Sequence, residues 1–168
     1  EMHMSEVTIA YGMTETSPVS CQTNKHTPLE KQVSTVGLVQ PNLEVKIVDT
    51  ETGEVVPVGE TGELLTKGYS VMKGYWGSRF KTKQSIQDGW MHTGDLATMD
   101  EEGYIKVVGR SKDMVIRGGE NIYPVEIENY LYRHPKISDV QIVGVPDKKY
   151  GEVLAAWIIP RKGVELTE

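Results

Sequence analysis

The sequence predicts an α+β fold: a β-rich, distorted barrel-like first part followed by the start of a small β-α-β-β unit. Three observations carry this. Short β-branched or alternating apolar runs recur through the first two thirds of the chain, and 17 glycines and 8 prolines fall between such runs as punctuation. After Gly109 the pattern changes to one amphipathic helix that opens at a proline, followed by two further apolar runs.

The elements follow in order. Residues 7–10, Val-Thr-Ile-Ala, are β-branched enough to read as a buried strand that stops at Gly12. Such a strand delivers the stretch YGMTETSPVS, residues 11–20, to a sheet's end, where open sheets bind ligands. Residues 43–48, LEVKIV, alternate apolar and polar, residues 50–54 turn, and a second strand ends near Gly68, which gives an antiparallel meander. A short helix is expected over 78–86. Residues 90–99 and 103–108 flank the turn at Asp100–Gly103 as another hairpin, with Asp95 on its first strand. The polar stretch 109–113 is the expected boundary between domains 1–110 and 111–168. Pro124 sits in the first turn of the next helix with Glu126 and Glu128, where the helix dipole favours acids. Ile127, Tyr130, Leu131 and His134 recur at helical spacing as one face, Pro135 is the expected stop, and residues 139–146 and 153–159 read as strands.

Composition limits the function classes. A chain of 168 residues with 38% hydrophobic content can bury one sizeable core or two small ones. The net charge of −6 argues against a broad electrostatic grip on nucleic acid or anionic membranes and leaves only local basic sites. A single cysteine, Cys21, forbids an internal disulfide and suits a reducing compartment. No apolar run is long enough to span a bilayer and no signal peptide is visible, so a cytoplasmic protein is expected, with an organelle-targeting segment upstream of Glu1 as the alternative. The start at Glu1 and the polar end at residues 165–168 suggest an excised piece.

Taken singly, the chemical motifs are weak. Thr14 and Glu15 could cap a turn, Asp95 could be a turn acid, Arg110 a surface charge, and Gly118-Gly119 a tight turn. His3, His26, His92 and His134 lack metal-ligand spacing and read as ordinary residues. Tyr69, Tyr75 and Trp76 read as packing groups. Neither a GxSxG elbow nor a GxxxxGK[ST] loop is present.

Their order is more informative. YGMTE, then GELLTKGYSVMKGYWG, then DGWMHTGDLATMDEEGYIKVVGRSKDMVIRGGENIYPVEIE, resembles the central and C-terminal blocks of the adenylate-forming (AMP-binding) superfamily, especially the fatty-acyl-CoA synthetases. The resemblance runs over nearly the whole chain. It implies the end of a large adenylating domain followed by the start of a small mobile one. It also implies the family's reaction, in which a carboxylate attacks the α-phosphate of ATP and coenzyme A then displaces AMP from the acyl-adenylate. By this resemblance Tyr11 offers an aromatic face to adenine, Gly12 lets the main chain approach the nucleotide, Met13 belongs to the same nucleotide-binding stretch, and Thr14 binds a phosphate oxygen. Glu15 helps hold Mg²⁺, a hard cation that takes carboxylate oxygen. Asp95 accepts from the ribose hydroxyls, and Arg110 donates to the sugar or its phosphate. Lys112 is the implied pivot between half-reactions, and Gly118-Gly119 belongs to the loop that swings in for thioester formation.

The resemblance also implies absences. The family's phosphate loop lies upstream of these residues and its adenylation lysine downstream, and none of Lys148, Lys149 and Lys162 has the surroundings of that lysine. Losing one preorganised donor costs on the order of 10²–10³ in rate, so the chain alone is expected to be close to inactive. Thr16, Ser17, Pro18 and Val19 are small enough to leave room for an alkyl chain, and an aryl acid would fit too. Amino-acid or aryl-acid adenylation domains are the second reading; in peptide-synthetase adenylation domains proline often stands at the position of Met13. A non-catalytic adenine-nucleotide-binding module is the third.

Overall fold

The structure is a computed structural model that describes residues 6–164; His3 and residues 165–168 lie outside them. The chain divides into two compact units, Glu1–Val107 and Val108–Glu168.

The first unit opens with β1 (Ala10–Gly12), a 3-10 turn (Thr14–Thr16) and β2 (Val19–Gln22), then α1 (Leu29–Ser34) and β3 (Leu38–Val39), and β1, β2 and β3 form an antiparallel sheet in that order. The strand expected over 7–10 is displaced: Val7 and Ile9 are exposed, and the ladder begins only at Ala10. β-Branching gave those residues strand propensity, but no described partner covers their side chains. Thr23 holds the extended chain there instead, its hydroxyl accepting from the Ile9 N–H at 2.8 Å.

The second sheet is the predicted meander. β4 (Leu43–Val48) pairs antiparallel with β5 (Gly62–Gly68) in unbroken register from Leu43 opposite Gly68 to Val48 opposite Glu63. α2 (Arg79–Ser85), whose N-cap Ser78 accepts from the Lys81 N–H, and the short β6 (Ile86–Gln87) precede β7 (Trp90–Met99), and the sheet runs β4-β5-β7-β6. β8 (Ile105–Arg110) pairs with β7, which curls the sheet into a half barrel. Alternating side chains on these strands bury Cys21, Ile47, Leu64, Ala97 and Ile105 as one core. Lys31 closes its rim in an ion pair with Asp100, and it also lies 3.4 Å from Glu102.

In the second unit a 3-10 turn (Ser111–Asp113) leads to the hairpin of β9 (Val115–Arg117) and β10 (Glu120–Ile122), then α3 (Pro124–Leu131), β11 (Ile137–Asp147) and β12 (Gly151–Pro160). The strand order is β10-β9-β12-β11. The expected β-α-β-β order is present, with a hairpin in the place of its first strand. Ile127 and Leu131 of α3 and Leu154 of β12 pack on Ile137, Val140 and Ile142. Two members of the expected helical face are not on it, because Tyr130 and His134 are exposed. The helix ends before Pro135. The Arg133 and His134 amides bond back to Tyr130 and Leu131, tightening the last turn and rotating the following residues off the face. Among the described residues no helix is long and apolar enough to cross a membrane.

Candidate functional site

The site is built around the reversal that follows β1. The pairing of β1 with β2 shifts register between Tyr11 and Gly12. There the chain passes so close to its own return that a Cβ on Gly12 would lie 1.6 Å from the Pro18 carbonyl oxygen. Glycine is therefore required by the hairpin itself, before any ligand is considered. The next residues wind into the 3-10 turn Thr14–Thr16, closed by the Thr16 N–H donating to the Met13 carbonyl at 3.0 Å. Thr16 is fully buried, and its hydroxyl accepts from the Met13 N–H at 3.2 Å. Thr14 is left exposed on the outside of the turn, with Glu15 half-buried beside it.

Asp95 reaches the same reversal from β7. The Tyr11 hydroxyl donates to Asp95 Oδ2 at 2.6 Å across 84 residues of sequence. Burial first, and then that carboxylate, raise the Tyr11 phenol well above its ordinary range, so it stays a donor. Asp95 itself is nearly buried. Its main chain leaves the ladder: Glu63 of β5 pairs with Leu96 and Leu65 pairs with His92, so Thr93, Gly94 and Asp95 stand opposite Leu64 alone. A bulge of this kind turns a side chain out of the sheet's alternation.

Glu15 is held from two directions by the loop after β5. The Met72 N–H donates to the Glu15 carbonyl at 2.8 Å, and the Tyr75 hydroxyl donates to Glu15 Oε1 at 2.8 Å. The Glu15 carboxylate in turn raises the Tyr75 phenol. A half-buried, prepositioned carboxylate beside an exposed threonine fits a hard divalent cation, which needs few protein oxygens when phosphate and water supply the rest. Among the described residues no cluster of three or more His, Cys, Asp or Glu side chains could hold a metal by itself.

The remaining expected residues lie in the second unit. Arg110, exposed, ends β8 as the N-cap of the turn carrying the exposed Lys112. Arg110 and Lys112 line a hollow of about 410 Å³ with Val125, Glu128, Gln141 and Glu152. Gly118 and Gly119 are the two-residue connection of the β9–β10 hairpin, both with positive φ, at 62° and 92°. That geometry needs glycine for the turn alone.

Sequence reasoning missed several residues and misjudged others. Tyr75, expected only to pack, donates to Glu15 across 60 residues that no local pattern connects. Trp76 and Tyr69, also expected to pack, are exposed. Glu63, His92 and Thr93 had no assigned role, yet they line the bulge that carries Asp95.

Comparison with known proteins gives a consistent result. Residues 1–76 match the model of the AMP-binding enzyme and residues 126–168 that of the AMP-binding enzyme C-terminal domain. The Bacillus subtilis protein YngI, which carries an acyl-CoA synthetase name, is 55% identical over 163 residues, 96% of this chain and 30% of its own length. The mitochondrial medium-chain acyl-CoA ligase ACSF2 of Bos taurus is 48% identical over 168 residues, 99% of this chain and 27% of that protein. The structure of O-succinylbenzoate coenzyme A synthetase (MenE) from Bacillus subtilis, in complex with ATP and magnesium ion, superposes with a TM-score of 0.84 at 37% identity, over 95% of this chain and 33% of that one. The chain thus spans under a third of the curated relatives it matches. Motif order, fold and both family models agree that the chain belongs to the AMP-binding enzymes.

Proposed function

We propose that the chain is the nucleotide-binding end of the large domain and the start of the small domain of an acid–CoA ligase. The complete ligase activates a carboxylic acid, in our reading a fatty acid, with ATP and passes the acyl group to coenzyme A. The observation that carries this is the bond from Tyr11 to Asp95, which brings the reversal after β1 and the bulge of β7 to one place.

In this reading Asp95 accepts from the ribose hydroxyls and Tyr11 supplies an aromatic wall to the adenine. Tyr11 is half-buried with its hydroxyl tied down, so its ring is oriented before nucleotide arrives. Thr14, exposed on its turn, donates to a phosphate oxygen, and Glu15, aligned by Tyr75, holds the cation. When bound, Mg²⁺ supplies the positive charge that neutralises the triphosphate. Arg110 addresses the sugar or phosphate. We place the boundary between large and small domain at 110/111, three residues beyond the end of the first compact unit at Val107, with Lys112 as the pivot and Gly118-Gly119 on the loop that serves thioester formation.

Thioester formation tests the assignment. The complete ligase, given ATP, magnesium, coenzyme A and a series of fatty acids, is expected to yield acyl-CoA, whereas the 168-residue chain under the same conditions yields none. No adenylate from any fatty acid, but adenylate from an amino acid or an aryl acid, would favour an adenylation domain of that kind instead. Turnover by the isolated chain would contradict the placement of essential groups outside it.

A further inference from the structure

We infer that Glu63 is a positioning residue for Asp95: by bracing the bulge of β7 it fixes the carboxylate that distinguishes ribose from deoxyribose. This rests on the reading of Asp95 as the acceptor for the sugar diol. Opposite the single residue Leu64, β7 carries Thr93, Gly94 and Asp95, so their main-chain groups cannot all be satisfied by the ladder. Side chains supply the partners. Glu63 Oε1 accepts from the Gly94 N–H at 2.9 Å, while Oε2 lies 2.9 Å from His92 Nδ1. The Thr93 hydroxyl donates to the Leu64 carbonyl at 2.6 Å and accepts from the Asp95 N–H at 3.1 Å. Gly94 is left-handed, with φ at 72°, a conformation that suits glycine within the bulge.

Glu63 ties the middle of the bulge, at Gly94, to His92 just before it, and its side chain is only 16% exposed. A charged acceptor shielded from water makes stronger bonds than a solvated one. Removing it leaves the Gly94 N–H without its partner and frees the His92 ring, so the three-residue excursion can settle in other shapes. Asp95 would keep its bond to Tyr11 in some of them and lose its aim at the diol in most. A residue that served folding alone would change stability without changing which sugar is preferred.

The test compares ATP with 2′-deoxy-ATP in acyl-CoA formation by the complete ligase. Wild type is expected to prefer ATP in kcat/KM. In Glu63→Ala that preference falls about tenfold, the equivalent of one charge-assisted hydrogen bond, with the change in KM for ATP exceeding that in kcat. Glu63→Gln, which retains an acceptor for the Gly94 N–H, should lie between the two and guards against failure of the alanine variant to fold. Asp95→Ala is the reference for complete loss of preference. If Asp95→Ala abolishes the preference but both Glu63 variants keep the wild-type ratio, even at lowered melting temperature, the positioning role is wrong. If Asp95→Ala also leaves the ratio unchanged, the diol assignment fails and the Glu63 inference fails with it.

Discussion

Single residues account for the site's most specific predictions. Tyr75 donates to Glu15 Oε1, so Tyr75→Phe removes a hydrogen bond to a charged group while preserving the ring. In the complete ligase the magnesium concentration for half-maximal activity should rise about tenfold, the lower end for loss of a partner to a metal ligand, with the melting temperature little changed. An unchanged magnesium dependence would remove Tyr75 from the site. Cys21 has no exposed surface, and burial pushes its thiol up to about 12. Because the folded chain holds that proton more tightly than the unfolded chain, its contribution to stability is complete below the ordinary value of 9.0 and is lost as pH rises from there toward about 12. At pH 8 an aromatic disulfide reagent should therefore label Cys21 in urea but not in the native chain. At this scale the sequence was legible where a motif is short and contiguous, as in Tyr11 to Glu15. It was opaque where a side chain answers a residue far along the chain, as Tyr75 answers Glu15 and Glu63 answers Gly94.

Elements were legible where alternation and turn chemistry agree. The strands Leu43–Val48 and Gly62–Gly68, the helix after Ser78 and the proline-opened helix at Pro124 lie where the pattern puts them. The strand at 7–10 was misplaced because composition cannot report whether a neighbour covers a β-branched side chain, and the bulge of β7 left no mark because Thr-Gly-Asp also suits a plain turn. Two predictions belong here. Gly12→Ala places a methyl group against the Pro18 carbonyl, a backbone atom that cannot turn aside, so the β1–β2 hairpin must shift. Thermal unfolding should show a loss of about 1–3 kcal/mol, the usual cost of overpacking, and nucleotide affinity should fall with it. Lys112→Pro fixes the backbone in the short turn Ser111–Asp113. In the complete ligase it should spare acid-dependent adenylation and block thioester formation, and equal loss of both half-reactions would refute the pivot.

At the scale of the whole molecule, each unit brings its own set of groups. The first unit carries the Tyr11–Asp95 bond, the turn of Thr14 and Glu15, and the bulge braced by Glu63. The second carries Arg110, Lys112 and the Gly118-Gly119 turn. The division into a β-rich part and a smaller mixed one was legible because the periodicity of the sequence changes near Gly109. The choice of acid was not, since the small residues 16–19 admit more than one shape. The central claim is that the reversal after β1 and the bulge of β7 form one nucleotide site, and the most direct measurement is acid-dependent exchange of labelled pyrophosphate into ATP by the complete ligase and its Asp95→Ala variant. The account predicts rapid exchange in the wild type and, in the variant, a loss of at least about 10²-fold in kcat/KM for ATP, as for removal of a group preorganised at the reacting nucleotide. Wild-type exchange in the Asp95→Ala variant would contradict it.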